Sequence, residues 1–322
     1  MPPRTSGTSF PLEFGTSGLV STNFDAMELS IGPHLHDGDA FFRSALPTWF
    51  NLLNLGMRVT ATADSDSHRG AANPVGLPRN FIACSVDPRD GMGADHDAID
   101  LEEYAVNIRE GRVTVSAGPV VMMYAESSSG VRKGIGETYN GSKAKITVEV
   151  GAPSWAWFDT IEIYTNTDPI PVDDDTDVPM QGVAADPEEF YKPYHIPRYT
   201  YSPTMTFKLS EGTLESWAEE DGAITAKVTF DIEVSDDTWI VALARGTRKT
   251  EGYRSLFPII TNVLKESGNA PDTFDPADLT EFHSDKKIGA SAWGMTNPIY
   301  MDVDGDGFEA KFVHEAGLPH SH

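Results

Sequence analysis

The spacing of hydrophobic residues changes near residue 118. Before that point, short runs of β-branched and apolar residues alternate with segments whose apolar residues recur at helical spacing. The pattern predicts strands at 25–30, 58–63, 79–85 and 112–116, and helices at 47–56 and 100–110. Because strands that alternate with helices are typical of parallel sheets with crossover helices, this part of the chain is predicted to be α/β.

After Gly118 and Pro119 the helical spacing gives way to alternating strands. The alternation predicts strands at 145–150, 160–164, 204–209, 224–230 and 239–244, separated by turn residues. Such a series is typical of an antiparallel β-sandwich. The predicted fold class is therefore α/β plus all-β, with an α/β domain at 1–118 and a β-sandwich-like domain at 119–322. Two acidic, proline-rich segments, 168–198 and 265–287, are predicted to be surface loops.

Composition and charge restrict the kinds of partner. The chain has 322 residues, of which 39% are hydrophobic, and none of its apolar runs has the roughly 18 residues of a membrane-spanning helix. Its net charge of −25, from 49 acidic and 24 basic residues, repels phosphate backbones and anionic lipid. We therefore expect no nucleic-acid partner and no membrane partner, and the acidity weighs toward a periplasmic or secreted setting.

The chain has a single cysteine, Cys84, which excludes an intrachain disulfide and a cysteine-based zinc site. The residue follows the apolar residues Phe81, Ile82 and Ala83. We therefore predict that its thiol is buried and unreactive.

The strongest local signal for chemistry is Asp66-Ser67-His68, directly after the predicted strand 58–63. Residues two apart on an extended chain point the same way, so Asp66 and His68 are expected to direct a carboxylate and an imidazole to one point. Carboxylate and imidazole ligands suit Mn, Zn or Fe. The alternative is a loop aspartate that caps a backbone amide beside an exposed histidine, and the spacing alone supports both interpretations equally.

Several segments, in a fixed order, resemble one enzyme family. The stretch 49–68 resembles the last metal motif of the PHP (polymerase and histidinol phosphatase) metallohydrolases, and most of all their carbaryl-hydrolase-like (CehA/McbA) group. Segments 24–28, 76–81 and 108–119 resemble the strands and the helix around that motif, and 295–307 resembles the C-terminal signature of the group. The resemblance covers residues 24 to about 310, and the ordered set is more specific than any one segment.

The resemblance implies a fold and a reaction. The family folds as a distorted (β/α)7 barrel, of which residues 1–118 would form the C-terminal half. It hydrolyses esters, most often phosphoesters, with water activated by two or three divalent metals. Asp66 and His68 match its final ligand pair, and Asp66 could also orient the water as a base. The expected substrate is therefore a small-molecule ester or phosphoester.

The chain departs from the family at its beginning. A complete barrel of this family opens with a His-x-His pair and further ligands, whereas only 65 residues precede Asp66 here. His34-Leu35-His36 resembles the opening pair in letters, but it follows the 24–28 segment instead of preceding it, and we interpret it as a surface loop. We therefore expect a truncated or degenerate family member.

Two other classes of function compete with the hydrolase. The chain could be a non-catalytic barrel remnant that carries a calcium-binding or partner-binding β-sandwich. A weaker alternative is a carbohydrate-binding module in which Trp155, Trp157 and Trp239 stack on sugars, although we expect these tryptophans to pack in the core.

Arg79 and Arg112 are candidates to contact an anionic substrate group through guanidinium hydrogen bonds. Arg79 is the one that we assign to the catalytic set. The alternative for each arginine is an ordinary ion pair with one of the many surface acids.

A possible calcium loop lies near the C-terminus. Asp302, Asp304 and Asp306 alternate with other residues and are followed by Gly307, like the first half of a calcium-binding loop. Val313 occupies the place of the usual twelfth-position glutamate. A single calcium site and a solvated acidic turn therefore have equal support.

Overall fold

The structure of the protein, a computed structural model, is mainly β. It describes residues 24–31, 45–54, 56–65, 76, 78–85, 100–154, 156–166, 170–171, 199–246 and 292–310. These residues form seventeen strands, two α-helices and one short 3₁₀-helix. Neither α-helix in the described part of the chain is long and apolar enough to cross a membrane.

The first three elements form a parallel β–α–β unit. Strand β1 (Ala26–Ile31) is followed by helix α1 (Leu46–Asn54) and strand β2 (Thr60–Asp64). Strands β1 and β2 pair in parallel as a two-stranded sheet. Helix α1 forms because its apolar residues recur at helical spacing, and this spacing lets it bury Trp49, Phe50 and Leu53 completely or almost so.

The next two strands pair antiparallel with each other. Strand β3 (Arg79–Ile82), helix α2 (Leu101–Arg109) and strand β4 (Val113–Ala117) follow β2, and β3 pairs antiparallel with β4. Asp100 caps the N-terminus of helix α2, because its carboxylate accepts hydrogen bonds from the backbone amides of Glu102 and Glu103. The predicted parallel arrangement is therefore confirmed for β1 and β2 and is wrong for β3 and β4.

The remaining strands follow in chain order with short connections inside the described ranges. They are β5 (Val120–Glu126), β6 (Arg132–Gly134), β7 (Thr138–Asn140), β8 (Lys143–Pro153), β9 (Thr160–Thr165), β10 (Ile170–Pro171), β11 (Tyr199–Thr200), β12 (Met205–Lys208), β13 (Ala218–Glu220), β14 (Ala223–Glu233), β15 (Thr238–Arg245), β16 (Trp293–Thr296) and β17 (Ile299–Asp302).

Two large sheets contain most of these strands. The eight-stranded sheet has the order β12-β9-β15-β16-β4-β3, and β17 pairs with both β15 and β7. The five-stranded sheet has the order β13-β14-β8-β5-β6, and β10 and β11 form a separate two-stranded sheet. In β14, Ile224, Ala226 and Val228 are buried while the residues between them are exposed, so this sheet buries one face. Side chains from both large sheets and from α1 belong to one hydrophobic core.

Every strand predicted after residue 118 is present. The predicted strands 145–150, 160–164, 204–209, 224–230 and 239–244 correspond to β8, β9, β12, β14 and β15. The mainly β character of this part is confirmed, while the sandwich, the partial barrel and the boundary at 118/119 stay predictions. That boundary falls between β4, which pairs with β16, and β5, which pairs with β8. Apart from β10, the predicted loops at 168–198 and 265–287 lie outside the described residues.

Two asparagine side chains join β2 to the eight-stranded sheet. The Asn297 amide donates to the carbonyl oxygens of Ala61 (3.0 Å) and Val113 (2.8 Å), and its oxygen accepts from the Ala61 amide (2.7 Å). The Asn80 side chain bonds in the same way to the amide (3.0 Å) and carbonyl (2.9 Å) of Ala63. These bonds satisfy backbone groups of β2 that β1 does not reach.

We expect Asn297→Ala to lower the free energy of unfolding by about 3 kcal/mol, because buried backbone groups of Ala61 and Val113 lose their partners. Asn140→Ala, at an exposed position of β7, is the matched control and should change it by about 0.5 kcal/mol or less. Urea unfolding measures both. Equal effects of the two substitutions would mean that the amide of Asn297 does not secure β2.

Candidate functional site

The structure describes β2 almost up to the predicted metal ligands. The strand ends at Asp64, Ser65 is the last described residue, and Asp66 and His68 lie outside the described residues, as do His34 and His36. Since β1 and β2 run parallel, their carboxyl ends lie at the same edge of the sheet. Asp66 and His68 follow that edge directly in the sequence, which is where α/β proteins place ligand-binding residues.

Arg79 and Arg112 have different surroundings. Arg79 is exposed on β3, its Nε donates to the carbonyl of Gly76 (2.5 Å), and it forms no ion pair with any residue in the described ranges. Arg112 forms an ion pair with Glu110 (2.5 Å) and donates to Asn107 (3.0 Å). The guanidinium of Arg112 is therefore engaged with a surface acid, whereas that of Arg79 keeps free donors.

The end of β17 leads into a turn built around Asp302. This side chain is only 3% exposed, and its carboxylate accepts hydrogen bonds from the amides of Gly305 (2.7 Å) and Gly307 (3.1 Å). Both glycines have a positive φ, 82° and 118°, a conformation that disfavours other residues. The turn therefore folds back around a nearly buried carboxylate.

Asp237 completes an acidic cluster with this turn. It lies between β14 and β15, and its carboxylate accepts from the amides of Val303 (2.8 Å) and Glu309 (2.7 Å). One oxygen each from Asp237, Asp302 and Asp304 lies within 4.8 Å of the other two. Three carboxylate oxygens so close together suit a hard cation such as Ca²⁺.

The cluster differs from the set predicted from the sequence. Asp302 and Asp304 belong to it, but its third member is Asp237 and not Asp306. Asp304 and Asp306 share a hydrogen bond between their carboxyl groups. This bond lowers the pKa of Asp304 and raises the pKa of Asp306. Asp306 thus takes up a proton more readily than an isolated aspartate.

Asp237 was missed because its partners are distant in the sequence. The only local signal is the turn Ser235-Asp236-Asp237 before a predicted strand. Its place beside Asp302 depends on the antiparallel pairing of β15 with β17, in which Thr238 faces Met301. Such long-range pairing is not visible in one sequence.

A cluster of polar side chains, Glu162, Tyr164 and Arg245, lies between α1 and the eight-stranded sheet. These side chains and Phe50 are among those that line a cavity of about 150 Å³. Nε and Nη2 of Arg245 contact the Glu162 carboxylate at 3.0 and 2.6 Å, and the Tyr164 hydroxyl donates to it at 2.9 Å. Burial, together with the charge of Glu162, raises the pKa of Tyr164. The three groups satisfy one another, so this arrangement is structural.

Two side chains differ from their sequence-based interpretation. Cys84 is exposed because the chain leaves the edge strand β3 after Ile82, so the predicted burial is wrong. Desolvation and the nearby Glu103 raise the pKa of its thiol, which disfavours the reactive thiolate. Trp239 is fully buried and therefore is not a platform for sugars, while Trp157 packs edge-on against Trp217 and Trp155 lies outside the described residues.

No family model, curated protein or solved structure matches the chain. The resemblance to PHP metallohydrolases therefore rests on the sequence segments alone, and the function that it implies is a proposal.

We expect Glu162→Gln to destabilise the fold by about 3 kcal/mol, because it leaves the partly buried Arg245 cation without its carboxylate. Glu149→Gln is the control, since it breaks an exposed pair with Lys227 (2.8 Å), and exposed pairs contribute little to stability. Urea unfolding again provides the comparison. A loss for Glu162→Gln as small as that of the control would contradict the structural role of the buried pair.

Proposed function

We propose that this chain forms the C-terminal part of a metal-dependent hydrolase of the PHP type, which cleaves a small-molecule ester or phosphoester. One observation carries the proposal: β2, the second strand of a parallel β–α–β unit, ends at Asp64, and the candidate ligands Asp66 and His68 follow it in the sequence. Parallel strands of α/β enzymes present their ligands at their carboxyl ends, and this is the end at which both residues follow.

The proposed architecture has two parts. Strands β1 and β2 with helix α1 correspond to the C-terminal half of a (β/α)7 barrel, in a domain that ends at residue 118. The strands of the two large sheets that follow residue 118 form a β-sandwich domain at 119–322, and β3 and β4 of the first domain extend the eight-stranded sheet. One hydrophobic core that includes α1 and both large sheets supports a firm connection between the two parts.

The residues of this chain have separate roles in the proposed reaction. Asp66 and His68 would hold a divalent transition metal, Mn, Zn or Fe, which would supply a water of lowered pKa as the nucleophile. Asp66 would also orient this water as a base. Arg79, whose guanidinium is exposed on β3, binds an anionic oxygen of the substrate.

The position of Arg79 next to β2 follows from its neighbour. Asn80 bonds to the backbone of Ala63, so β3 lies beside β2 just before the candidate ligands. Neighbouring residues on a strand point to opposite faces, so the Arg79 side chain starts on the face opposite the Asn80 contact and would reach the substrate around β3, the edge strand of its sheet. Two ligands do not complete a metal site, so the proposal requires further ligands from outside the described residues or from another polypeptide.

We expect the purified protein to retain Mn, Zn or Fe, and Asp66→Ala to lose most of it, because a metal site depends on each of its few protein ligands. Elemental mass spectrometry after dialysis measures the bound metal. Asp231→Asn, which removes an exposed carboxylate of β14, is the matched control and should leave the metal content unchanged. Equal metal content in wild type and Asp66→Ala would contradict the proposal.

A second candidate function, cation binding without catalysis, is favoured by the acidic cluster. The oxygens of Asp237, Asp302 and Asp304 converge within 4.8 Å, and two of the three carboxylates are fixed by backbone amides. In this alternative Ca²⁺ joins the turn after β17 to the turn before β15, and it stabilises a β-protein that has lost catalysis.

Calcium is expected to raise the melting temperature of the wild type, because a ligand that binds only the folded state stabilises it. Asp304→Asn should weaken this response roughly tenfold in calcium concentration, since it removes one ligand charge but leaves the hydrogen-bonded Asp237 and Asp302 in place. Asp231→Asn serves as the control in a thermal titration. An unchanged calcium response in Asp304→Asn would exclude this cluster as the site.

A further inference from the structure

A larger cavity lies at the opposite end of β2 from the candidate metal ligands. Its volume is about 290 Å³, and it is lined by Arg58, Thr60, Arg109, Asn297 and Tyr300 among others. Thr60 begins β2, whereas Asp66 and His68 follow its other end. The cavity is therefore separated from the proposed metal site by the length of the strand.

Arg58 is oriented by two aromatic rings. Its guanidinium carbon lies 4.4 Å from the ring centre of Tyr300 and 5.6 Å from that of Phe308, and Nη2 donates to the Thr138 hydroxyl (3.2 Å). A guanidinium carries five N–H donors, so this single bond leaves most of them unused. Stacking thus fixes the position of a cation whose donors remain accessible.

Arg109 adds a second guanidinium at the end of α2. Its Nε lies 3.5 Å from Asp25, and both side chains are 62% exposed, so this is a weak surface pair. Among the described residues that line the cavity, Glu110 alone has a carboxylate, which pairs with Arg112 at 2.5 Å. Positive charge therefore prevails here, in a chain whose net charge is −25.

Tyr300 contributes a third donor. The residue is only 5% exposed, and its hydroxyl forms no hydrogen bond with any residue that the structure describes. Burial raises the pKa of this hydroxyl, although Arg58 opposes the shift, so the group keeps its proton and can donate it. Tyr300 lines the cavity, so its hydroxyl can donate a hydrogen bond to a ligand or water there.

Two glycines keep part of the cavity wall free of side chains. Gly111 and Gly136 both have a positive φ, and a Cβ on Gly136 would come within 2.1 Å of the Glu110 carbonyl oxygen. Side chains are thus excluded where the two backbone segments meet. The volume corresponds to about ten water molecules, which is more than a bare phosphate or carboxylate group fills.

We propose that the cavity between Arg58, Arg109 and Tyr300 binds a small organic anion through a phosphate or carboxylate group. Guanidinium and hydroxyl donors match the oxygens of both groups, and Arg58 is held in place for such a contact by its aromatic neighbours. The site is independent of the metal-dependent reaction proposed above, because none of its residues belongs to the candidate metal set.

Isothermal titration of the full chain with inorganic phosphate, and separately with acetate, tests the proposal. The protein carries Asp66→Ala in every sample and is dialysed against EDTA and then against buffer, so that anion binding at a metal site does not contribute. We expect Arg58→Gln to weaken binding of the preferred anion roughly tenfold, the loss expected for one charge-assisted hydrogen bond. Arg109→Gln and Tyr300→Phe should weaken it in the same direction.

Arg132→Gln is the matched control. Arg132 also lies over a tyrosine ring, that of Tyr124 at 3.8 Å, and pairs with Glu126 at 3.1 Å, but it does not line the cavity. Its substitution should leave the dissociation constant unchanged. If Arg58→Gln fails to fold, Arg109→Gln decides the question, because its side chain is largely exposed.

Tighter binding of phosphate would identify a phosphorylated ligand, and tighter binding of acetate would identify a carboxylate; both results support the site. The proposal is overturned if neither anion binds at millimolar concentration, or if Arg58→Gln and Arg109→Gln bind as tightly as Arg132→Gln.

Discussion

The hydrogen bonds of β2 are the constraint on which the α/β part of this protein depends. A central strand needs partners on both sides, but among the strands that the structure describes β2 pairs with β1 alone. On its other side, the amides of Asn297 and Asn80 take the place of a neighbouring backbone. Because Asn297 also donates a hydrogen bond to Val113, the same side chain joins β2 to β4, and thereby to the eight-stranded sheet. Without these amides, buried polar groups of β2 would lose their partners.

A cluster of aromatic side chains fixes the other side of the parallel unit. Phe50 of α1 contacts Tyr164, Tyr201 and Trp239 at ring-centre distances of 5.0, 5.3 and 5.0 Å. The indole of Trp239 donates to Asn54 at the end of the same helix (2.9 Å). The helix that connects β1 to β2 therefore packs against β9 and β15. The β-rich part of the chain thus fixes the position of the helix, and through it the position of β2. This dependence explains how a short β–α–β unit keeps a defined position.

Local patterns predicted most elements but few of their partners. Residues 224–230 alternate strictly, and β14 extends three residues beyond this prediction on one side and one on the other. The antiparallel direction of β3 could not be predicted, because it depends on pairing with β4 across an intervening helix. Short strands such as β16 and β17 were missed because the Asn297-Pro298 break divides their apolar stretch.

The candidate site shows the same division between local and distant information. The repeating aspartates indicated Asp302 and Asp304, because ligands of one loop follow one another in the sequence. Asp237 belongs to the cluster through the pairing of β15 with β17, and Cys84 is exposed because the chain leaves the edge strand β3 after Ile82. Neither fact is encoded in the residues next to them.

The use of Asn297 as a substitute for backbone has a chemical consequence over the life of the protein. Asparagine side chains convert slowly to aspartate when the following backbone nitrogen attacks the amide, and the new carboxylate would repel the carbonyl oxygens of Ala61 and Val113. The residue after Asn297 is Pro298, whose nitrogen carries no hydrogen and is a poor nucleophile for this ring closure. The asparagine that joins the two parts of the fold is thereby protected from this conversion to aspartate.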